Sequence, residues 1–148
     1  MKEASRFIHD FPSCSQTYCT LSIYHSTANP QSITDALKIV PDRISVVGEK
    51  LYANKLAKNS GWYLSTENKV ESKDLRAHID YLLKLLIPIT DVVNKLIDSE
   101  FKVAIWCYWE SANGSGGPTI DHELIKMLSL LPVDLYFDVY FLGEGSAI

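Results

Sequence analysis

Long apolar runs, clustered basic residues and cysteines are all scarce in this 148-residue chain. A bilayer-spanning helix needs about 18 or more consecutive apolar residues, and the most apolar stretch, Leu82 to Ile89, is broken by Lys84 and Pro88. No membrane partner is expected. The 14 Lys+Arg are outnumbered by 18 Asp+Glu, for a net charge of -4, and the nearest thing to a basic cluster is the scattered Lys50, Lys55 and Lys58. Binding to nucleic acid through counterion release requires several clustered cations, so no nucleic-acid partner is expected either. Three cysteines, Cys14, Cys19 and Cys107, are an odd number, which suits free thiols in a reducing compartment better than a disulfide framework. Cys14 and Cys19 with His9 and His25 match no common zinc spacing, and Cys19 and Cys107 read as small core residues on strands. No metal and no cofactor are expected.

With 7 Gly, 6 Pro and 47% hydrophobic residues, and a mean hydropathy of -0.00, the chain is neither collagenous nor disordered. A domain of this length buries roughly 68 to 70% of the surface its unfolded chain exposes, enough to form a core without disulfides. A single domain over residues 1–148 is expected, with 1–16 as an N-terminal extension. Met1-Lys2-Glu3-Ala4-Ser5-Arg6 carries an acid and a second base where a signal peptide would turn apolar, so the expected compartment is the cytosol.

Tyr18 to His25 alternates, with Cys19, Leu21 and Ile23 on one side and Tyr18, Thr20, Ser22 and Tyr24 on the other, which predicts a half-buried strand. Asn29-Pro30 suits a helix start, and Ile33, Ala36, Leu37 and Val40 form one helical stripe before Pro41. Ile44 to Val47 and Trp62 to Ser65 are short β-rich pieces. The polar stretch between them, Gly48 to Gly61, predicts a loop or a helical turn. From Ser72, taken as an N-cap with Asp74 in the first turn, Leu75, Ile79, Leu82, Leu83, Leu86, Val93 and Ile97 recur at helical spacing. Pro88 should divide or kink this main helix near Ile87. Val103, Ile105, Cys107 and Trp109 alternate with Ala104, Trp106 and Tyr108 in a second strand. A helix is predicted from Thr119 through Leu131, with Asp121 and Glu123 at its positive end. Val133 to Phe141 alternates most cleanly, with Val133, Leu135, Phe137, Val139 and Phe141 on the apolar side.

The order β-α-β-β-α-β-α-β predicts an α+β two-layer sandwich, ferredoxin-like, with a mainly antiparallel sheet and helices packed on one face. Tyr24-His25-Ser26-Thr27-Ala28-Asn29-Pro30 and Tyr108-Trp109-Glu110-Ser111-Ala112-Asn113-Gly114 echo each other ahead of the first and last helices, and suggest two related strand-loop-helix units.

The first strand, the helix after Asn29-Pro30, the segment Gly61-Trp62-Tyr63-Leu64-Ser65, the Leu-rich helix bearing His78 and the closing Leu135-Tyr136-Phe137-Asp138-Val139-Tyr140 together resemble a bacterial family, the domain of unknown function numbered 4279. The resemblance covers nearly the whole chain and rests on aromatic and apolar patterns. It implies a small intracellular domain with no established activity and supplies no active site.

Alternation places Tyr18, Thr20, Tyr24, Tyr63, Trp106, Tyr108, Tyr136 and Tyr140 on the sheet face away from the helices. Such a face is too aromatic for plain solvent. It predicts association, as a homodimer or with a protein partner, unless the 48–61 segment covers it or a flat ligand binds it. Asp134 and Asp138 among these rings disfavour a single-stranded RNA platform. The loop Ser111 to Pro118, with Asn113, Gly114, Gly116 and Gly117, is a candidate anion cradle between strand and helix, but it lacks the Gly-Lys-Ser or Gly-Lys-Thr of a phosphate loop. Glu110, Asp121 and His122 flank it and are the residues an alternative hydrolase or transferase would use. No nucleophile sits in a recognisable elbow or dyad, so no catalytic residue is assigned. His78 reads as a packing or interhelix hydrogen-bonding residue. An immunity or regulatory role would suit a small acidic domain of this kind.

Overall fold

The computed structural model describes residues 6–141. Its strands are β1 (Cys14–His25), β2 (Arg43–Ser45), β3 (Ser60–Ser65), β4 (Lys102–Ser111) and β5 (Asp134–Tyr140). Its helices are α1 (Gln31–Leu37), α2 (Leu75–Leu86), α3 (Thr90–Asp98) and α4 (His122–Leu128). The sheet runs β2-β3-β1-β4-β5. Every neighbouring pair is antiparallel except β4 and β5, which are parallel. The protein is therefore α+β, with a five-stranded mixed sheet and helices packed against it. The parallel β5 makes the sheet mixed rather than wholly antiparallel.

Alternation sorts the strands as periodicity requires. Cys19, Leu21 and Ile23 of β1, Trp62 and Leu64 of β3, and Val103, Ile105, Cys107 and Trp109 of β4 lie in one buried cluster. The same cluster takes Ile33 and Leu37 from α1, Leu75, Ile79, Leu82, Leu83 and Leu86 from α2, Val93 and Leu96 from α3, and Leu124 from α4. The Trp62 indole N–H finds a partner in Thr34 Oγ1 at 3.0 Å, which ties α1 to β3 and satisfies a donor that burial would otherwise strand. Pro88 divides the main helix as expected: a 3-10 turn, Ile87–Ile89, separates α2 from α3. Among the described residues no helix is long and apolar enough to cross a membrane.

Several boundaries depart from the sequence reading. Asp74, not Ser72, caps α2, its carboxylate accepting the Arg76 N–H. The last helix opens after Asp121 rather than at Thr119, because the Asp121 carboxylate accepts the Leu124 N–H at 2.9 Å. α1 ends at Leu37, where Lys38 turns left-handed at φ 60°, and Val40 is left exposed ahead of Pro41. Phe137 lies on the apolar side of β5 yet is 46% exposed, since β5 is an edge strand that the core only partly covers; Phe141, just past the strand, is 49% exposed. Leu135 and Val139 alone reach the core from its middle.

Residues 6–13 run ahead of β1 and are held at several points. The Ile8 N–H donates to Asp74 Oδ2 at 2.8 Å, the Lys73 N–H to the His9 carbonyl at 2.8 Å, and the Ala112 N–H to the Ser13 carbonyl at 2.9 Å.

Candidate functional site

The face opposite the helices is built by strand register. β1 and β4 set Tyr18 opposite Tyr108, and the two rings stack with centroids 4.9 Å apart. β4 and β5 set Trp106 beside Tyr136, stacked at 4.6 Å. Tyr140 leans on Tyr108 at 5.3 Å. β1 and β3 bring Tyr24 edge-on to Tyr63 at 5.7 Å. All seven aromatic candidates thus make ring contacts with one another, each pair at a distance favourable for aromatic association.

The face has two ends. At one, Gly61 lies opposite Tyr24, and the Tyr63 ring folds back over it so closely that a Cβ there would collide with the Tyr63 hydroxyl. The Arg43 guanidinium sits 4.0 Å above the same ring, a cation–π contact. Residues of the 48–61 stretch wall this end: Leu51, Tyr52 and Lys58 close a cleft of about 380 Å³ over Tyr24, Arg43 and Tyr63. The stretch contains a 3-10 turn, Tyr52–Asn54, held by a bridge between Lys50 and Leu56. At the open end Trp106, Tyr136 and Tyr140 are 41%, 45% and 44% exposed. A second cleft, about 430 Å³, joins the two, running from Tyr24 and His25 past Glu100 and Lys102 to Trp106.

Charge follows the same division. Arg43 and Lys102 flank the Tyr24 and Tyr63 end. Glu110 and Asp138 flank Tyr108. The Tyr108 hydroxyl donates to Glu110 Oε2 at 2.6 Å and Ser15 Oγ donates to Oε1 at 2.8 Å. These bonds hold the Glu110 carboxyl below its ordinary value. The Glu110 bond pushes the Tyr108 ionisation up to about 12. Burial raises Tyr24, and burial with the charges of Glu67 and Asp138 raises Tyr18. The hydroxyls of Tyr18, Tyr24 and Tyr108 are thus held further toward the neutral form and act as hydrogen-bonding tips on apolar rings.

The Gly-rich loop is closed on itself. The Asn113 side-chain oxygen accepts the Ser115 N–H at 3.1 Å, and the Ser111 hydroxyl accepts the Asn113 N–H at 3.3 Å and donates to the Ser115 carbonyl at 2.6 Å. Gly114 and Gly116 take φ of 82° and 88°, and at Gly116 a Cβ would lie 2.7 Å from Ser13 Oγ. Gly117 has open space around it. Two of the loop amides are thus engaged within the loop, and the α4 N-terminus already carries the Asp121 carboxylate.

Glu110 and Asp121 hold separate sets of partners. Asp121 accepts from Arg6 Nε at 3.0 Å and Arg76 Nη1 at 3.1 Å, and His122 is an exposed first residue of α4. Sequence reasoning missed this ion network, in which Arg76 Nη2 also reaches Asp74 Oδ2 at 2.6 Å. The signal was Asp74 two residues before Arg76 at a helix start. His78 bonds the connection between β3 and α2 rather than another helix: its Nε2–H donates to the Ser72 carbonyl at 2.8 Å and its Nδ1 meets Thr66 Oγ1 at 2.6 Å. Cys19 and Cys107 are fully buried with their sulfurs 3.8 Å apart, and burial raises the Cys14 and Cys19 thiols. Among the described residues no group of three or more His, Cys, Asp or Glu is placed to hold a metal ion.

Fold and site together define a small α+β protein with a helix-covered sheet face and an aromatic one. The chain belongs to the family described as Domain of unknown function (DUF4279), whose model matches residues 15–142. No curated protein and no solved structure matches it.

Proposed function

We propose that this protein is a binding domain that associates through its aromatic sheet face, with a second copy or with a protein partner. The observation that carries this reading is the stacked Trp106–Tyr136 pair with Tyr140 beside it, large rings left 41 to 45% exposed on a pleated surface that no helix of the described residues covers. Interface centres are enriched in such residues and depleted in Lys and Asp. Glu110 and Asp138 on the same face repel phosphate, which favours protein over nucleic acid. The odd cysteine count supports a cytosolic setting, where an immunity or regulatory role suits a domain whose chemistry is recognition.

Solution mass by light scattering over a concentration series, combined with acrylamide quenching, tests the reading. Trp62 and Trp109 are both 0% exposed, so quenching reports Trp106. A mass near twice 16.7 kDa with Trp106 protected, and loss of both in Trp106→Ala, supports self-association through the face. Protection of Trp106 on adding a purified partner supports the heterotypic form. A complex in which Trp106 stays fully quenchable overturns the assignment of this face.

A further inference from the structure

We infer that the outer edge of β5 pairs antiparallel with β5 of a second copy, about a two-fold axis at Phe137, joining the two sheets edge to edge. This stands apart from the sheet-face reading, because it uses the strand's backbone edge and leaves Trp106 open.

The two edges of the sheet differ. β2 is three residues long and carries Arg43. β5 has seven residues, Asp134–Tyr140, with no Lys, Arg, Pro or Gly among them, and no strand of the described residues pairs with its outer side. Natural sheets blunt an edge of that length with lysine, proline, a bulge or a covering element, since unpaired N–H and C=O groups template another strand. β5 carries no lysine, proline or bulge, and its only charged side chains are Asp134 and Asp138. Phe137 is also 46% exposed although it lies on the strand's apolar side.

Register then selects the occupant. A two-fold axis perpendicular to the sheet keeps the two faces aligned, so residues of like parity oppose one another. Centring the pair on Tyr136 sets Asp134 against the other copy's Asp138, and centring it on Asp138 sets that carboxylate against itself; like charges directly opposite are destabilising. Centring on Leu135 or Val139 leaves only three residues of each strand overlapping. Centring on Phe137 overlaps all seven residues. Leu135 then opposes Val139, Val133 opposes Phe141, and the two Phe137 rings meet on the axis. Asp134 falls opposite Tyr140 and Asp138 opposite Tyr136, so no carboxylate faces another. The strand is complementary to itself in this register, which points to a second copy of this chain as its partner. Pairing would place the two aromatic faces side by side in one surface.

Cysteine scanning of the full chain tests the register. Directly opposed residues of an antiparallel pair have Cα atoms about 4.5 to 5.5 Å apart, within disulfide reach, and the native thiols are buried and do not compete. Under mild oxidation Phe137→Cys is expected to run as a covalent dimer, whereas Tyr136→Cys, which opposes Asp138, is not. Phe137→Lys sets two ammonium groups on the axis and should raise the dimer dissociation constant at least tenfold while keeping the wild-type circular dichroism spectrum. A wild-type monomer at every concentration, equal cross-linking of both cysteine variants, or a dimer indifferent to Phe137→Lys would each overturn the inference. A dimer lost in Trp106→Ala but kept in Phe137→Lys leaves the sheet-face reading standing and removes this one. A dimer with the reverse pattern and a quenchable Trp106 does the opposite.

Discussion

Tyr108 and Glu110, two residues apart on β4, are joined on the aromatic face by a hydrogen bond of 2.6 Å from the phenol to the carboxylate. Ionising the phenol would forfeit the bond it donates, against burial and beside a second negative charge, which is why its ionisation is pushed up to about 12. Glu110→Gln removes one charge. The expected outcome is that the highest tyrosine step in a tyrosinate absorbance titration moves down toward 10, with little change in urea stability. An unmoved titration would contradict the pairing.

Asp74 is 0% exposed and held by Arg76, itself 8% exposed, through Nε at 3.0 Å and Nη2 at 2.6 Å. Arg76→Ala strands a buried carboxylate, and breaking such a pair costs about 3 to 5 kcal/mol, read as a lowered urea midpoint. Burial works against charge on Asp74 and Asp121, but the bonds from Arg76, Arg6 and the N–H groups of Ile8, Arg76 and Leu124 outweigh it, so both carboxyls lie below the ordinary 3.8. Their contribution to stability is full above 3.8 and is lost as pH falls through the folded-state values. Urea melts at about pH 5 and about pH 3 should show this loss in the wild type.

His78 titrates in the opposite chemical sense with the same slope. Burial lowers its folded value below 6.5 despite the Ser72 carbonyl and the charge of Asp74. The unfolded chain binds the proton first, so this contribution is full above 6.5 and is lost as pH falls from there toward the folded value. His78→Gln should flatten the stability profile in that window, measured by urea midpoints at closely spaced pH.

Gly61 gives the Tyr63 ring room to fold over the strand, and a Cβ there would meet Ser45 Oγ at 2.8 Å as well as the ring. Gly61→Ala is expected to lift Tyr63 from Tyr24 and Arg43 and to cost roughly 1 to 3 kcal/mol by overpacking. Ring chemical shifts of Tyr63 and a thermal melt would check both. An unchanged ring would show that the backbone yields instead.

Much of this fold is legible locally. Alternation in β1, β4 and β5 and helical spacing in α2 are properties of a few neighbouring residues, so the buried and aromatic faces sort themselves before any partner is known. Pro88 divides the helix by removing one donor and crowding one carbonyl, again a local effect. The aromatic residues of the candidate site were readable for the same reason. The cap at Asp74 was not, because Ser72 offers the same chemistry two residues earlier, and only Arg76 and the Ile8 amide show which oxygen is used.

By itself the sequence determined which side chains share a face, that Pro88 divides the main helix and that the charge is acidic, since each depends on composition, on the local chemistry of proline or on periods of two and 3.6 residues. Tertiary structure alone decided that the 48–61 stretch walls Tyr24 and Tyr63, that Glu110 and Asp121 keep separate partners, and that β5 lies at the edge. Those outcomes depend on pairings such as Tyr18 with Tyr108 and Trp106 with Tyr136. Contacts between residues so far apart in the chain are set by the closing of the whole sheet, which no local period encodes.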